Sequence, residues 1–159
     1  MRNNKTSMQY DVISNECRTH FLKKKFLIPK KFCNYILIKI DQNNWIEIVN
    51  YSVLAGIMIQ QKKIDSMLSV SATKIIIDVY DQYIKKAKSL MEKKNSDYEE
   101  AWKYMSISSI KDLIMQKIFR IQGMEKRFYE VENYAYKVQD NYIDILNYAI
   151  FALIKMKNP

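Results

Sequence analysis

Two basic residues lie in or beside an apolar face, where an unpaired charge is costly. On a helical wheel Lys117 falls near the middle of this face and Arg120 on its flank, and Lys39 repeats the placement earlier in the chain. The apolar members of the face are Ile110, Leu113, Ile114, Ile118, Ile121 and Met124. We therefore expect Lys117 to bind an anion, to pair with an acid on a neighbouring helix, or to extend its amine into water.

A second polar pair interrupts the last apolar segment of the chain. Asp144 and Asn147 stand three residues apart beside Ile143, Leu146, Ile150, Phe151 and Ile154. Because side chains at i and i+3 lie on one side of a helix, the pair can present two oxygens to a cation or to a base edge. The alternative is a buried contact that fixes the register of packed helices. In either case a buried asparagine needs hydrogen-bond partners.

The acidic residues upstream have simpler explanations. Ser109-Ile-Lys-Asp112 fits a helix capping box, and the stretch from Ser96 to Glu100, which includes Asp97, is typical of a helix start. Asp112 also points away from the face that contains Lys117. Trp102 is of a type that more often packs in a core than stacks on a ligand.

The elements that must position these residues are long helices. The 159 residues include only two glycines and two prolines, and 48% are apolar, which predicts an all-α bundle rather than a β fold. Five helical segments are predicted, the second of them broken near Asp41 to Asn44, at residues 8–26, 29–61, 70–94, 109–127 and 139–157. Residues 65–72 are predicted to connect the two halves.

An internal repeat divides the chain into two unequal copies of one helical unit. Tyr10-Asp11 matches Tyr80-Asp81, Lys39 aligns with Lys117, and Ile46 to Tyr51 matches Ile143 to Tyr148 in pattern. We predict a shortened first copy at 1–64 and a complete second copy at 73–159. The first copy has Asn34 in place of Asp112, so the second copy is expected to supply the chemistry of any site and the first copy its wall.

Composition limits the classes of partner. The net charge is +9, but the excess is almost entirely lysine, whereas nucleic-acid surfaces favour arginine, which argues against direct nucleic-acid binding. The apolar stretches are too short to span a membrane. Cys17 and Cys33 lack the spacing of a metal site and indicate reduced cysteines of a cytoplasmic protein.

The residues of the second copy resemble a known family. The stretches 94–127 and 142–156 are similar to the first of the nucleotide modification associated domains, grouped with the all-α, MazG-like nucleoside triphosphate pyrophosphohydrolases. The resemblance covers about residues 79–156 and rests on Asp97-Tyr98, Ala101-Trp102, Ser108-Ser109, Asp112, Lys117, Arg120 and Asp144 to Tyr148. It also implies tandem copies and a site built across paired bundles, in a homodimer or in an internal pseudo-dimer.

The resemblance implies a nucleotide or modified nucleotide as ligand, and Mg²⁺-dependent hydrolysis of its α–β phosphate bond. The implied catalytic residues are Asp112, Lys117 and Asp144, and the implied Mg²⁺ ligands are Asp97, Asp112 and Asp144. The implied substrate contacts are Asp97, Trp102, Lys117, Arg120, Asn147 and Tyr148. The EExxE motif of the superfamily is missing, and its ExxD motif is reduced to Asp144-x-x-Asn147. The alternative function is therefore a non-catalytic helical structural or interaction module derived from such an enzyme.

Overall fold

Helices account for nearly all of the regular structure. The computed structural model describes residues 2–60, 69–70, 74–97 and 100–158. These ranges contain six α-helices and one 3₁₀ helix: α1 (Arg2–Lys23), α2 (Phe32–Asp41), α3 (Trp45–Gln60), α4 (Lys74–Asp97), the 3₁₀ helix (Ala101–Tyr104), α5 (Ile107–Lys126) and α6 (Tyr134–Lys157). Two short strands, β1 (Phe26–Leu27) and β2 (Ser69–Val70), pair in antiparallel fashion. The predicted all-α fold is confirmed.

The predicted break in the second helical segment is also confirmed. Helix α2 ends at Asp41, and Asn43 adopts a left-handed conformation with φ of 54°, which asparagine tolerates better than most residues. The Asn44 side chain then accepts a hydrogen bond of 3.3 Å from the backbone N–H of Glu47 and so caps α3. Of the predicted connection at 65–72, only β2 falls within the described residues.

Two predicted helix starts are wrong. Ser106 rather than Ser109 caps α5, because its extended backbone lets its hydroxyl accept a 3.0 Å hydrogen bond from the N–H of Ser109. The predicted cap therefore lies inside the first turn. The acidic stretch after Ser96 does not open an α-helix either: α4 continues to Asp97, and the next element is the short 3₁₀ helix that follows Glu100, whose side chain makes no capping hydrogen bond. Several residues between Ser96 and Ser109 are of types that cap helices. The packing of the helices determines which of these residues begins or ends one.

The centre of the molecule is formed by α3 and α6, which share the largest helix–helix contact of the described chain. Every residue from Ile48 to Ile57 is buried, as are twelve residues of α6. Helices α1 and α4 flank this pair, α2 packs on α3, and α5 packs on α6. In the described part of the chain, no helix combines the length and apolarity needed to cross a membrane.

A buried asparagine of α6 connects three helices by hydrogen bonds. Tyr10 of α1 donates a 2.7 Å hydrogen bond to Asn147 Oδ1, and Asn147 Nδ2 donates a 3.0 Å bond to the carbonyl of Ala87 in α4. Three helices are thus joined at a side chain that is only 6% exposed. This is the register-fixing contact that was one of the two predictions for Asn147.

The same arrangement occurs around Asn50 of α3. Tyr80 of α4 donates a 2.7 Å hydrogen bond to Asn50 Oδ1, and Asn50 Nδ2 donates a 3.0 Å bond to the carbonyl of Cys17 in α1. In the predicted repeat, Tyr80 aligns with Tyr10, and Asn50 aligns with Asn147. The division into two copies stays a prediction, and these matched contacts are what two copies packed about a two-fold axis would make.

Candidate functional site

A pocket of about 410 Å³ opens between the end of α4, the 3₁₀ helix, α5 and α6. Its size is within the range of small-molecule sites. Five of the residues singled out from the sequence line it: Trp102, Lys117, Asp144, Asn147 and Tyr148. Most of the remaining wall is apolar and comes from Met91, Met105, Leu113 and Phe151. The pocket thus combines apolar surface with a few charged groups.

The charged groups form one triad across three helices. Asp144 of α6 pairs through Oδ1 with Lys94 of α4 at 2.7 Å and through Oδ2 with Lys117 of α5 at 2.9 Å. The Asp144 and Lys117 side chains are 15% and 20% exposed, and Lys94 is 49% exposed. Lys117 thus pairs with an acid on a neighbouring helix, which is one of the three alternatives that its position in the apolar face allowed. Two ammonium groups and one carboxylate leave the triad with one net positive charge.

Lys94 was not predicted for the site, although it lies in the stretch that carries the family resemblance. It occupies the last turns of a helix whose exposed face carries several other lysines, so nothing in the local pattern distinguishes it. Only the packing of α4 against α6 brings its amine to Asp144.

Trp102 forms a rigid wall of the pocket. Its ring stacks on Phe151 with centroids 4.5 Å apart and an interplanar angle of 2°, and its indole N–H donates a 3.1 Å hydrogen bond to Asn95 Oδ1. The ring is 6% exposed. Because Phe151 covers one face, Trp102 offers the pocket an edge or a single face and does not act as an open stacking platform.

Glu100 holds the 3₁₀ helix in place beneath this wall. Its carboxylate accepts hydrogen bonds from Thr6 of α1, from Asn95 of α4 and from Lys103. Burial alone would raise the pKa of Glu100, but these hydrogen bonds outweigh it and hold the pKa below its ordinary value. Its backbone is left-handed, with φ of 60°. Helical periodicity carries no signal for such a residue, so the sequence did not reveal its role.

The other predicted site residues do not meet in the pocket. Asp112 and Arg120 are exposed on α5, and neither lines it. Asp97 is the last residue of α4, and its side chain lies outside the described part of the structure. Within the described residues no three His, Cys, Asp or Glu side chains are grouped as a metal site would need.

A second lysine–carboxylate triad lies in the first half of the chain. Glu47 of α3 pairs with Lys39 of α2 at 2.7 Å and also with Lys24. The Glu47 side chain is 3% exposed and Lys39 is 13% exposed, so this triad is more deeply buried than the one at Asp144. Lys39 also lies 5.1 Å from the ring centroid of Tyr35. The alignment of Glu47 with Asp144 was visible in the sequence, but its ion pairs were not anticipated.

The comparison with protein families bears directly on the pocket. Residues 94–156 match the family model of nucleotide modification associated domain 1. The resemblance found from the sequence is therefore confirmed over this segment, which is less than half of the chain. The matched segment contains all five predicted pocket residues and both lysines of the triad. Neither the curated proteins nor the solved structures gave a significant match to the chain.

The elements that the family model matches are the 3₁₀ helix, α5 and most of α6, together with the end of α4. The rest of the fold supplies support from outside the segment. Thr6 reaches Glu100, and Tyr10 reaches Asn147, both from α1. The pocket of the matched segment is therefore held in shape by the first helix of the chain.

Proposed function

We propose that this protein binds a nucleotide in the pocket between α4, the 3₁₀ helix, α5 and α6. The observation that carries the proposal is the pairing of Lys94 and Lys117 on Asp144 at the edge of an otherwise apolar pocket. Phosphate needs cationic donors, and a nucleobase needs apolar surface with a few polar groups. Both requirements are met within the segment that matches the nucleotide modification associated family.

The proposal gives the residues of the pocket different roles. Lys94 and Lys117 contact the phosphate, and Tyr148, Met105 and Trp102 form the surface for the base and sugar. Asn147 supports the pocket from behind, because its Oδ1 and Nδ2 already bond to Tyr10 and Ala87. Asp112 and Arg120 are exposed on α5, so neither contacts the nucleotide in this proposal.

The described residues do not fit the Mg²⁺ that the family resemblance implies. Magnesium prefers several oxygen ligands in octahedral geometry. Both oxygens of Asp144 already accept contacts from ammonium groups, and no second carboxylate of the described chain lines the pocket. This donor set favours the non-catalytic alternative, in which a pocket inherited from a hydrolase binds a nucleotide without cleaving it.

The direct test is calorimetric titration and thermal unfolding of the full chain with nucleosides and their mono-, di- and triphosphates, each with EDTA or Mg²⁺. Binding of one class should raise the melting temperature, since ligand at about 100 times its Kd stabilises by roughly 2.7 kcal/mol. Lys117→Gln should reduce this effect. Lys93→Gln removes an exposed charge from the same surface region and serves as the matched control. If no nucleotide binds under either condition, the proposed function is wrong and a purely structural module is favoured.

Hydrolysis is followed in the same samples by chromatography of the nucleotides. The donor set predicts binding without release of pyrophosphate. Mg²⁺-dependent pyrophosphate release that disappears in Asp144→Asn would instead support the pyrophosphohydrolase.

A further inference from the structure

The charges of the Asp144 triad also bear on which class of nucleotide the pocket binds. We infer that Asp144 is an internal counter-ion, and that the pocket takes a ligand with a single phosphate group, a nucleoside monophosphate, on Lys94 and Lys117 without a divalent cation. This inference rests on the proposed function and specifies its ligand and its mode of recognition.

Lys94 and Lys117 keep hydrogen-bond donors that Asp144 does not use. Each ammonium group has three N–H donors, and each lysine contacts a different oxygen of Asp144. Both lysines line the pocket, so their remaining donors are available to a ligand there. Both amines lie beside one carboxylate, so a single phosphate group at this edge of the pocket can contact both of them.

The charge of the pocket lining matches that of one phosphate group. Lys94, Lys117 and Asp144 are the charged residues of the described chain that line the pocket, and together they carry one net positive charge. This charge suits the one to two negative charges of a phosphate monoester. The three phosphate groups of a nucleoside triphosphate carry more negative charge than the triad can balance. At triphosphate sites Mg²⁺ usually supplies this missing positive charge.

Asp144 competes with a bound phosphate for the two lysines. Without ligand, its carboxylate keeps two partly buried ammonium groups paired at a position where unpaired charges would be unfavourable. When a phosphate arrives, Asp144 opposes it, since the two anions share the same cations. A metal ligand would behave in the opposite way, because its negative charge would assist binding through the metal.

Asp144→Asn therefore separates the two interpretations by the sign of its effect. In an internal counter-ion, this near-isosteric substitution removes the competing charge and should tighten monophosphate binding in EDTA by roughly three- to tenfold, the size expected for one charge at a partly exposed position. In a metal ligand, the same substitution should weaken or abolish binding. Lys117→Gln should weaken monophosphate binding in EDTA by roughly tenfold or more. Lys93→Gln should leave the affinity unchanged.

The experiment is isothermal titration of the full chain with nucleoside monophosphates, triphosphates and unphosphorylated nucleosides, in EDTA and in Mg²⁺. Monophosphate binding in EDTA, stronger than that of the triphosphate and tightened by Asp144→Asn, would support the inference. Binding only with Mg²⁺, or a nucleoside that binds as tightly as its monophosphate, would overturn the inference and leave nucleotide binding standing. Absence of any binding would overturn the proposed function as well.

Folding is checked independently of binding. Circular dichroism and the melting temperature without ligand should show that each variant is folded. If Lys117→Gln fails this check, Lys94→Gln takes its place, because Lys94 is the more exposed partner of Asp144 and its substitution disturbs the core less. An affinity unchanged in a folded Lys94→Gln would also overturn the inference.

Discussion

Tyr10 donates a 2.7 Å hydrogen bond to Oδ1 of Asn147, and through it the first helix contacts the back of the candidate pocket. Both residues are buried, and burial of Tyr10 raises the pKa of its hydroxyl well above the ordinary value. The hydroxyl is therefore a permanent donor at physiological pH. The contact joins the two halves of the chain at a residue on the pocket wall.

Tyr10→Phe should destabilise the fold by about 1–3 kcal/mol, because it leaves Asn147 Oδ1 buried without a donor. Chemical denaturation measures the change in the free energy of unfolding. Tyr104→Phe removes the same atom from a side chain that is 90% exposed, and should change stability by less than about 0.5 kcal/mol. Equal changes in the free energy of unfolding for the two substitutions would show that the Tyr10–Asn147 hydrogen bond does not stabilise the fold.

Gly56→Ala should be strongly destabilising. A Cβ at this position in α3 would overlap the Tyr83 hydroxyl group, so Tyr83 would have to move within the core. Gly123→Ala is the matched control, because nothing lies within 4 Å of the added atom and a helical glycine is the less favourable residue. That control should stabilise the protein by up to about 1 kcal/mol. Thermal unfolding of the two variants should therefore shift in opposite directions.

Glu47→Gln should cost more stability than Asp144→Asn. Glu47 is 3% exposed and holds Lys24 and Lys39, whereas Asp144 is 15% exposed and faces a pocket. Removing the acid from a buried cluster leaves uncompensated charge, at a cost of up to about 3–5 kcal/mol, while a pair nearer the surface contributes about 0–1 kcal/mol. Urea denaturation of both variants at one pH compares them directly. A larger loss of stability in Asp144→Asn than in Glu47→Gln would show that the more deeply buried triad is not the larger contributor to the stability of the fold.

Glu100 should make the fold sensitive to acid. Its pKa in the folded protein is lowered from the ordinary value of 4.5, so its contribution to stability is complete above that pH. As the pH falls through the lower folded-state pKa, the carboxylate takes up a proton and the contribution is lost. Glu100→Gln should therefore flatten the dependence of the free energy of unfolding on pH below about 4.5. Glu132→Gln, at an exposed position, is the control and should leave the slope unchanged.

The two halves of the chain contain matching polar contacts. The Tyr–Asn contacts at Asn50 and Asn147 match, and so do the lysine–carboxylate triads at Glu47 and Asp144. The hypothesis of two unequal copies placed the loss of polar groups in the first copy. That hypothesis stays a prediction. Each half of the described structure has a carboxylate between two lysines, and the halves differ in how deeply that triad is buried.

The sequence by itself determined the helical character of the protein and pointed to five of the residues that line the pocket. Scarce glycine and proline allow long helices, and polar residues inside apolar faces stand out because burial without partners is unfavourable. Lys117, Asp144 and Asn147 were recognisable for this reason. Helix ends were less predictable, as at Ser106 and Asp97, since several residues of the capping type compete locally.

Only the tertiary structure decided which polar groups meet. Lys94 lies 50 residues from Asp144 along the chain and Thr6 lies 94 residues from Glu100, and no local pattern links such pairs. The structure also separated Lys117 from Asp112 and Arg120, which share its helix but lie exposed outside the pocket. Helical periodicity tells which face is buried, whereas the packing of α4, α5 and α6 determines which partner each buried charge finds.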